Sequence, residues 1–506
     1  MKDAADILAR ARGRGVSLEL HSGALRVHDP YRALAPVETD ALLEQQHEFV
    51  MTLMQSTDPA AVTSANTAPL TFQQEWIIRR SGYPCCVPFT ARLRGSLDID
   101  ALFRSAQALH CRHEALRTAI VVTETTIYQE VRPVSHCDMQ LIDLQNSTDA
   151  ESNASYDAYI ETLIQNWVEA ANSVFALRVL KISSREHIML VLWEHVHFDY
   201  FSSTLLFKEL WAAYRQLHLS QVPLVRQAMQ CPQYAVWQRR EFSAKSQERC
   251  IYWTNRLAKA DPAKICIEQE PESVATRPLT FIQEFDQPLS DSLRNFAETI
   301  RTPTPFVVAA LTALGISGFS GQSNFTVPMS YFGRYGGAQL DMIGYFPNYI
   351  PLQIDLGHQV TFAELCGAIA REYFTGIAHL DFGQNTDGGR PEFLKVPFIQ
   401  WFPTDTLTDV VAPSKSTWNE EALQLSVKPF LLSACRFPDR PSLKPDFTGQ
   451  FAWFDSHGSL SSRIDRIPLS EDKARFIERI WQQLPLVAAK IANDRGVSVA
   501  SLLALL

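Results

Sequence analysis

The chain has 506 residues, of which 46% are hydrophobic and 20% charged, and its formal net charge is -9. This length favours more than one domain, and the composition is typical of a soluble globular protein without a membrane span, since no run of about eighteen uncharged apolar residues occurs. The negative charge argues against general nucleic-acid binding, because phosphate contacts rely on clustered Lys and Arg.

The sequence has neither a recognisable secretory signal nor a disulfide-like cysteine spacing, which favours a reducing compartment. The first residues, MKDAADILARARGRG, lack the apolar block and small-residue cleavage site of a secretory signal. None of the nine cysteines has the spacing of a zinc cluster or a disulfide framework. We therefore expect a cytoplasmic protein with reduced thiols.

The first 56 residues have their own pattern. Apolar residues recur at helical spacing before Gly13, and VSLELHSGALRV (16–27) alternates around Ser22 and Gly23, which predicts a hairpin over residues 16–28. ETDALLEQQHEFVMTLMQ (38–55) has one apolar helical face. These elements predict a small α+β domain over residues 1–56, and the Thr, Ala, Ser and Pro tract at 57–68 is interpreted as a linker.

Strand-like runs alternate with amphipathic helices from Pro69 onward, which predicts a mixed α/β fold. A stretch of this length exceeds one ordinary core. We therefore expect two lobes, at residues 69–245 and 246–506.

The stretch EHVHFDYFS, from Glu194 to Ser202, follows an apolar run and places two histidines and two carboxylates close together. One imidazole of near-neutral pKa suits a proton acceptor in catalysis. A zinc site built from His195, His197 and a carboxylate is the alternative, but no second ligand cluster accompanies it, so we predict no metal. Polar residues that only close a strand are the third possibility.

Signatures of several other enzyme classes are absent. The sequence contains no GxSxG elbow, phosphate loop ending in GK[ST], HExxH pair or dinucleotide fingerprint. The reaction, if any, must therefore use other groups.

Several stretches carry a specific resemblance, in the order in which the family has them. They are PLTFQQEWI (69–77), RHEALRT (112–118), EHVHFDYFS, YAVWQR (234–239), YWTNRL (252–257), and GR (333–334) followed by IGYFPN (343–348). Together they resemble the condensation domain of nonribosomal peptide synthetases, and the N-terminal unit resembles a TubC-type docking domain. The resemblance implies a two-lobed fold like that of chloramphenicol acetyltransferase and an acyltransferase that joins a carrier-bound acyl or peptidyl donor to the amine of a carrier-bound acceptor.

The resemblance also assigns roles to single residues. His195 occupies the position that the family treats as catalytic. Asp199 matches a structural position, and Arg334 in the second lobe is its expected partner, with Arg117 as the second choice. A half-buried carboxylate needs such a partner.

Two positions depart from the family pattern. Glu194 stands where the family has its first His, and Tyr200 stands where it has Gly. Glu194, Asp199 and Ser202 also reproduce the spacing of the heterocyclising signature DxxxxDxxS, with Glu for Asp, so a heterocyclising variant is one alternative. A catalytically inactive platform that binds carrier proteins is another.

The expected partners also follow from the resemblance. An upstream synthetase subunit would add its C-terminal segment to the hairpin edge, and donor and acceptor carrier proteins would supply substrates on phosphopantetheine. We expect no cofactor bound by this chain itself, no nucleic-acid or membrane partner, and a monomer. The residues expected to bind the docking segment are Arg14, Leu18, Leu20, Leu25, Arg26 and Val27.

Overall fold

The computed structural model describes most of the chain. The described residues are 7, 16–21, 24–29, 34–79, 86–145, 153–170, 173–218, 229–258, 260–265, 277–334, 337–357, 361–379, 397–403, 428–430, 450–456 and 459–506. Arg14 and, apart from Ile7, the helix predicted before Gly13 lie outside them.

The chain divides into two compact units. The first contains residues 1–244, 334–346 and 406–445, and the second contains residues 245–333, 347–405 and 446–506. The domain bounds drawn from the sequence stay predictions. Two segments depart from the expected division, because residues 334–346 and 406–445, which the sequence places in the second lobe, belong to the first unit.

Two five-stranded sheets organise the first unit. One has the order β2-β1-β5-β6-β3 and the other has the order β14-β4-β9-β8-β7. The strands are β1 (Ser17–His21), β2 (Ala24–His28), β3 (Thr67–Ala68), β4 (Cys86–Arg94), β5 (Thr118–Val122), β6 (Ile127–Val131), β7 (Asp138–Asp143), β8 (Phe175–Ser183), β9 (Glu186–Glu194) and β14 (Lys428–Phe430).

Helices accompany these sheets. They are α1 (Pro36–Glu44), α2 (Gln46–Ser56), α3 (Phe72–Arg79), α4 (Ile99–Arg112), α5 (Asn153–Ala170), α6 (Tyr200–His218) and α7 (Cys231–Leu257), in which the division between the units falls. Short 3₁₀ turns lie at Glu114–Arg117, His195–His197 and Gly337–Asp341.

Strand β9 is apolar on both faces because both of its faces are covered. Its odd-numbered residues, such as Met189 and Val191, pack in the cluster that contains Phe207 and Trp211. Its even-numbered residues, such as Leu190, pack in the cluster of Trp167 on α5. A strand buried on both faces reads as a continuous apolar run, which is the pattern before Glu194.

The predicted N-terminal hairpin is present and extends a sheet of the first unit. Strand β1 pairs with β2, and on its other side it pairs antiparallel with β5, with Leu18 opposite Val122 and Leu20 opposite Ile120. The apolar residues of the hairpin and of α1 and α2 share one cluster with Ile120, Val122 and Ile127. The hairpin is therefore built into the core of this unit.

Two predicted segments differ in detail from the structure. The run at 38–55 forms two helices, α1 and α2, that meet at Gln45, where the backbone leaves helical geometry. The predicted linker forms hydrogen-bonded turns and ends in β3. Within it, Thr57 Oγ1 accepts the Ile127 amide at 3.0 Å, and Ser64 and Thr67 join their hydroxyls at 2.7 Å.

The second unit has one six-stranded sheet of order β10-β16-β15-β13-β11-β12. The strands are β10 (Arg277–Glu284), β11 (Asn324–Tyr331), β12 (Asn348–Asp355), β13 (Phe398–Pro403), β15 (Gln450–Ser456) and β16 (Ser459–Leu469). The helices are α8 (Gln287–Thr299), α9 (Thr304–Ser320), α10 (Phe362–Ala378), α11 (Glu471–Gln482), α12 (Leu484–Asn493) and α13 (Val499–Leu503).

Helix α9 is the central helix of the second unit. It is apolar on all sides and buried in the core cluster, as expected of a helix surrounded by other elements. Within the described residues no single helix is long and apolar enough to cross a membrane, and only α8 and α9 taken together, bent by 111°, pass such a test.

Candidate active site

The EHVHFDYFS stretch contains the end of β9, a tight turn and the start of α6. Glu194 is the last strand residue, His195–His197 form a single 3₁₀ turn, and α6 begins at Tyr200. The two histidines therefore lie in a turn that follows the strand. Among the residues that the structure describes, no three His, Cys, Asp or Glu side chains group as metal ligands would.

The imidazole of His195 is held in one orientation by the chain itself. Its Nδ1 lies 2.8 Å from the carbonyl oxygen of Phe198, and the Phe198 amide donates to the His195 carbonyl at 3.2 Å. A carbonyl only accepts hydrogen bonds, so Nδ1 carries the proton and Nε2 carries the lone pair. Nε2 is thus the atom that can accept a proton.

The surroundings of His195 keep the ring neutral. Burial lowers the pKa of His195 below its ordinary value of 6.5, and the hydrogen bond to Phe198 and the nearby Asp199 carboxylate oppose that shift. A neutral imidazole at physiological pH is the form required of a base.

Asp199 caps the helix that follows. Its Oδ1 accepts the Ser202 amide at 2.6 Å, and its backbone carbonyl accepts the Ser203 amide at 3.1 Å. Its Oδ2 accepts the Phe346 amide at 3.2 Å. A carboxylate at the first turn satisfies amides that have no partner within the helix and interacts favourably with the helix dipole.

Arg334 supplies the charge that balances Asp199. Its Nη2 lies 2.9 and 3.1 Å from the two carboxylate oxygens of Asp199 and 2.8 Å from Ser202 Oγ. Both side chains are nearly inaccessible, with 2% of Arg334 and 3% of Asp199 exposed. Arg334 is the partner of Asp199 that the family resemblance implied. Arg117, the second choice, instead donates to the Arg132 carbonyl at 2.7 Å.

Two further groups of contacts complete the guanidinium site. Nη1 donates to the carbonyls of Gln339 and Met342, the latter at 2.7 Å. The guanidinium carbon lies 4.5 Å from the ring centre of Phe201 and 4.4 Å from that of Phe346. The cation is therefore fixed by hydrogen bonds in its plane and by aromatic rings over it.

Ser202 joins α6 to the segment 334–346, which we call the strap. Its Oγ donates to the Gly344 carbonyl at 2.7 Å and accepts the Gly344 amide at 3.0 Å. Gly344 has no room for a side chain, since an added Cβ would lie 2.5 and 2.8 Å from Phe346 ring atoms and 3.0 Å from Cys231 Sγ. The strap thus requires glycine at this point of close approach.

The positions that depart from the family pattern have different environments. Glu194 is buried, with 1% exposed, and its Oε2 lies 3.9 Å from Nε2 of the equally buried His197. Tyr200 is only partly buried, and its carbonyl accepts the Ser203 hydroxyl at 2.7 Å in the first turn of α6. The Glu194 side chain is therefore buried in the interior of the unit, whereas Tyr200 is partly exposed at its surface.

Three of the six predicted docking residues lie in the core. Leu18, Leu20 and Leu25 are buried in the cluster shared with β5, and Val27 is partly exposed. Arg26 donates from Nη2 to the Val168 carbonyl at 2.9 Å. These surroundings assign the leucines to packing, and Arg14 lies outside the described residues.

Sequence reasoning missed several residues of this site. Phe198 is needed for its carbonyl, Phe201 and Phe346 for their rings, and Tyr345 because its ring lies edge to face with His195 at 5.3 Å and 89°. For Tyr345 and Phe346 the signal was the IGYFPN stretch, whose resemblance to a family motif does not reveal what the two rings touch.

The comparison with known families decides what kind of domain this is. The family model for the condensation domain matches residues 64–385, which is more than half of the chain. The chain belongs to the condensation domain family. Residues 1–63 lie before the matched part, so the TubC-type resemblance of the N-terminus gains nothing from this match.

Known relatives agree with this condensation domain assignment. Nonribosomal peptide synthetase 30 of Fusarium vanettenii is 28% identical over 304 residues, which cover 57% of this chain and 5% of that protein. A linear gramicidin synthase protein of Brevibacillus parabrevis is 26% identical over 382 residues, which cover 71% of this chain and 5% of that protein. The chain thus spans about one twentieth of the length of each of these two curated relatives.

Two solved structures confirm the fold class. The X-domain from teicoplanin biosynthesis, also solved as a complex with OxyB, has a TM-score of 0.66 at 19% identity and covers 87% of this chain and 98% of its own. The first condensation domain of the calcium-dependent antibiotic synthetase, solved with a substrate analogue, has a TM-score of 0.63 at 15% identity and covers 86% and 98%. The predicted α/β condensation fold is therefore correct.

Proposed function

We propose that this chain is an active condensation domain of a cytoplasmic nonribosomal peptide synthetase, which joins a carrier-bound acyl or peptidyl thioester to a carrier-bound amine. The observation that carries the proposal is the state of His195. Its Nδ1 proton is directed to the Phe198 carbonyl, so Nε2 is the ring nitrogen that can accept a proton from the amine.

His195 by itself can carry the proton that the reaction must move from the amine to the leaving group. The acceptor nitrogen attacks the thioester carbonyl carbon, the C–N bond forms, and the C–S bond breaks. The proton lost by nitrogen passes to Nε2 and then to the departing thiolate, which leaves as a thiol. Asp199 and Arg334 take no part in proton transfer, because their mutual ion pair and the α6 cap engage them.

The test compares three proteins with donor and acceptor carriers loaded by chemical synthesis. We expect His195→Ala to lower kcat by about 100-fold or more, the usual contribution of a positioned base. His136→Ala, which removes an exposed imidazole, is the matched control and should retain activity. Equal rates for wild type and His195→Ala would show that His195 is not the base.

The non-catalytic platform is the second candidate function. The similarity to an X-domain that has been solved in complex with OxyB favours it, since that complex shows a domain of this fold holding a partner protein. Wild-type protein that binds loaded carriers but forms no product would support the platform. A product lighter by one further water would support the heterocyclising alternative.

For the N-terminal hairpin we propose docking of the C-terminal segment of an upstream synthetase subunit on β2. Among the described strands β2 is one of the two outer strands of its sheet, and outer strands accept extended peptides. The Leu25 amide points away from β1, because it donates to Gln46 Oε1 at 2.8 Å, so by alternation the Val27 amide faces outward as well.

Val27→Pro tests this proposal because it removes an outward amide without removing a bond to β1. Val27→Ala keeps the amide and is the matched control. We expect the proline variant to lose binding of the upstream segment while the alanine variant retains it. Equal binding by both variants would exclude strand addition at β2.

A further inference from the structure

The backbone of Tyr345 is held on both sides by the start of α6. On one side, the amide and carbonyl of Gly344 both bond to Ser202 Oγ, at 3.0 and 2.7 Å. On the other side, the Phe346 amide donates to Asp199 Oδ2 at 3.2 Å. The strap therefore has little freedom at Tyr345, since both of its neighbours are bonded to residues only three positions apart.

The side chain of Tyr345 reaches the imidazole. Its ring is buried, with 1% of the residue exposed, and it lies perpendicular to the ring of His195 at a centroid distance of 5.3 Å. This is the edge-to-face arrangement that aromatic pairs prefer. The hydrogen bond from Nδ1 to Phe198 holds one edge of the imidazole, and the ring of Tyr345 packs against the imidazole.

Together these contacts connect the buried ion pair to the reacting atom. Arg334 holds Asp199, Asp199 and Ser202 hold the backbone around Tyr345, and Tyr345 contacts His195. We propose that Tyr345 is the positioning residue for His195, setting the direction of its Nε2 lone pair by edge-to-face contact. The proposal rests on the proposed role of His195 as base.

A positioning role predicts a specific kinetic pattern. A misdirected base slows the chemical step and leaves substrate binding unchanged, and small errors of placement cost up to about 100-fold. We expect Tyr345→Met and Tyr345→Leu to lower kcat by about 10- to 100-fold with KM unchanged. Tyr345→Phe keeps the ring and should retain nearly all of kcat.

A spectroscopic readout separates this role from a general loss of packing. In protein labelled with ¹³C at the histidine ring, the His195 signal, assigned by its absence in His195→Ala, should move in both aliphatic variants and stay in place in Tyr345→Phe. Tyr214→Leu is the matched control. It removes another buried tyrosine ring of the same unit, one that lies edge to face with Trp211 at 5.6 Å, and should lower stability while kcat and the His195 signal persist.

The outcomes are distinguishable. Wild-type kcat and an unmoved His195 signal in the aliphatic variants would overturn the positioning role, as would a loss in Tyr345→Phe equal to that in Tyr345→Met. If one aliphatic variant does not fold, the other and Tyr345→Phe still decide. Unchanged activity of His195→Ala would instead refute the proposed function itself.

Discussion

Replacing Arg334 by methionine removes the only cation that the structure shows on the Asp199 carboxylate within the described residues. Both side chains are nearly inaccessible, at 2% and 3% exposed, so water cannot readily replace the guanidinium. Breaking a buried ion pair by removal of one partner costs about 3–5 kcal/mol, because the remaining charge stays desolvated. The variant also withdraws a donor from the carbonyls of Gln339 and Met342.

This loss is large enough to measure directly. Domains unfold with a free energy of about 5–15 kcal/mol, so the variant should lose about a fifth or more of its stability. At roughly 2 °C per kcal/mol for a unit of this size, Tm should fall by about 6–10 °C. Arg475→Met is the matched control: Arg475 is 68% exposed in its pair with Glu471, and the change should stay within about 0.5 kcal/mol.

A double-mutant cycle identifies the cause. Asp199→Asn removes the stranded charge, so Asp199→Asn combined with Arg334→Met should cost less than the sum of the single changes, by at least about 1 kcal/mol. Differential scanning calorimetry of the four proteins gives the cycle. A loss below about 1 kcal/mol for Arg334→Met together with additive single effects would refute the argument from a buried, coupled pair.

Three further outcomes are expected. Gly344→Ala should destabilise the first unit by about 1–3 kcal/mol in thermal unfolding, because the new methyl group displaces the Phe346 ring; an unchanged Tm would contradict the close approach. Leu18→Ala should cost about 2–5 kcal/mol and lower the main unfolding transition, since Leu18 is buried in the shared cluster; a separate early transition would argue for an independent hairpin unit. The ring of His195 should titrate by NMR below pH 6.5 because burial lowers its pKa. Since the unfolded chain then binds more protons, the free energy of unfolding should rise with pH across the window just below 6.5; a midpoint above 6.5 would contradict this.

Apolar runs and alternating residues in the sequence predicted individual strands and hairpins. The apolar run before Glu194 correctly indicated a buried strand, and the alternation around Ser22 and Gly23 correctly indicated a hairpin. The ion partner Arg334 was selected by resemblance and not by spacing, since 135 positions separate it from Asp199. Periodicity alone has no means of choosing among distant arginines.

The remaining features depend on contacts that no local pattern encodes. Strand β1 meets β5 across about a hundred residues of chain, and either strand would look the same in sequence if it had another neighbour. The 3₁₀ turn at His195–His197 follows from the Nδ1 bond and the α6 cap, which appear only once the backbone has folded. Tyr345 was missed for the same reason, because its importance lies in what its ring touches.

The pairing of β1 with β5 limits where this chain can be shortened or joined to another sequence. A protein that begins after residue 56 would leave the outer backbone of residues 120–122 uncovered, together with the apolar side chains that now pack against the hairpin. Such a bare strand is a template for pairing with another chain, and self-association follows from it. Exchange of the N-terminal segment for that of a related chain should therefore supply a strand with the same register against Val122.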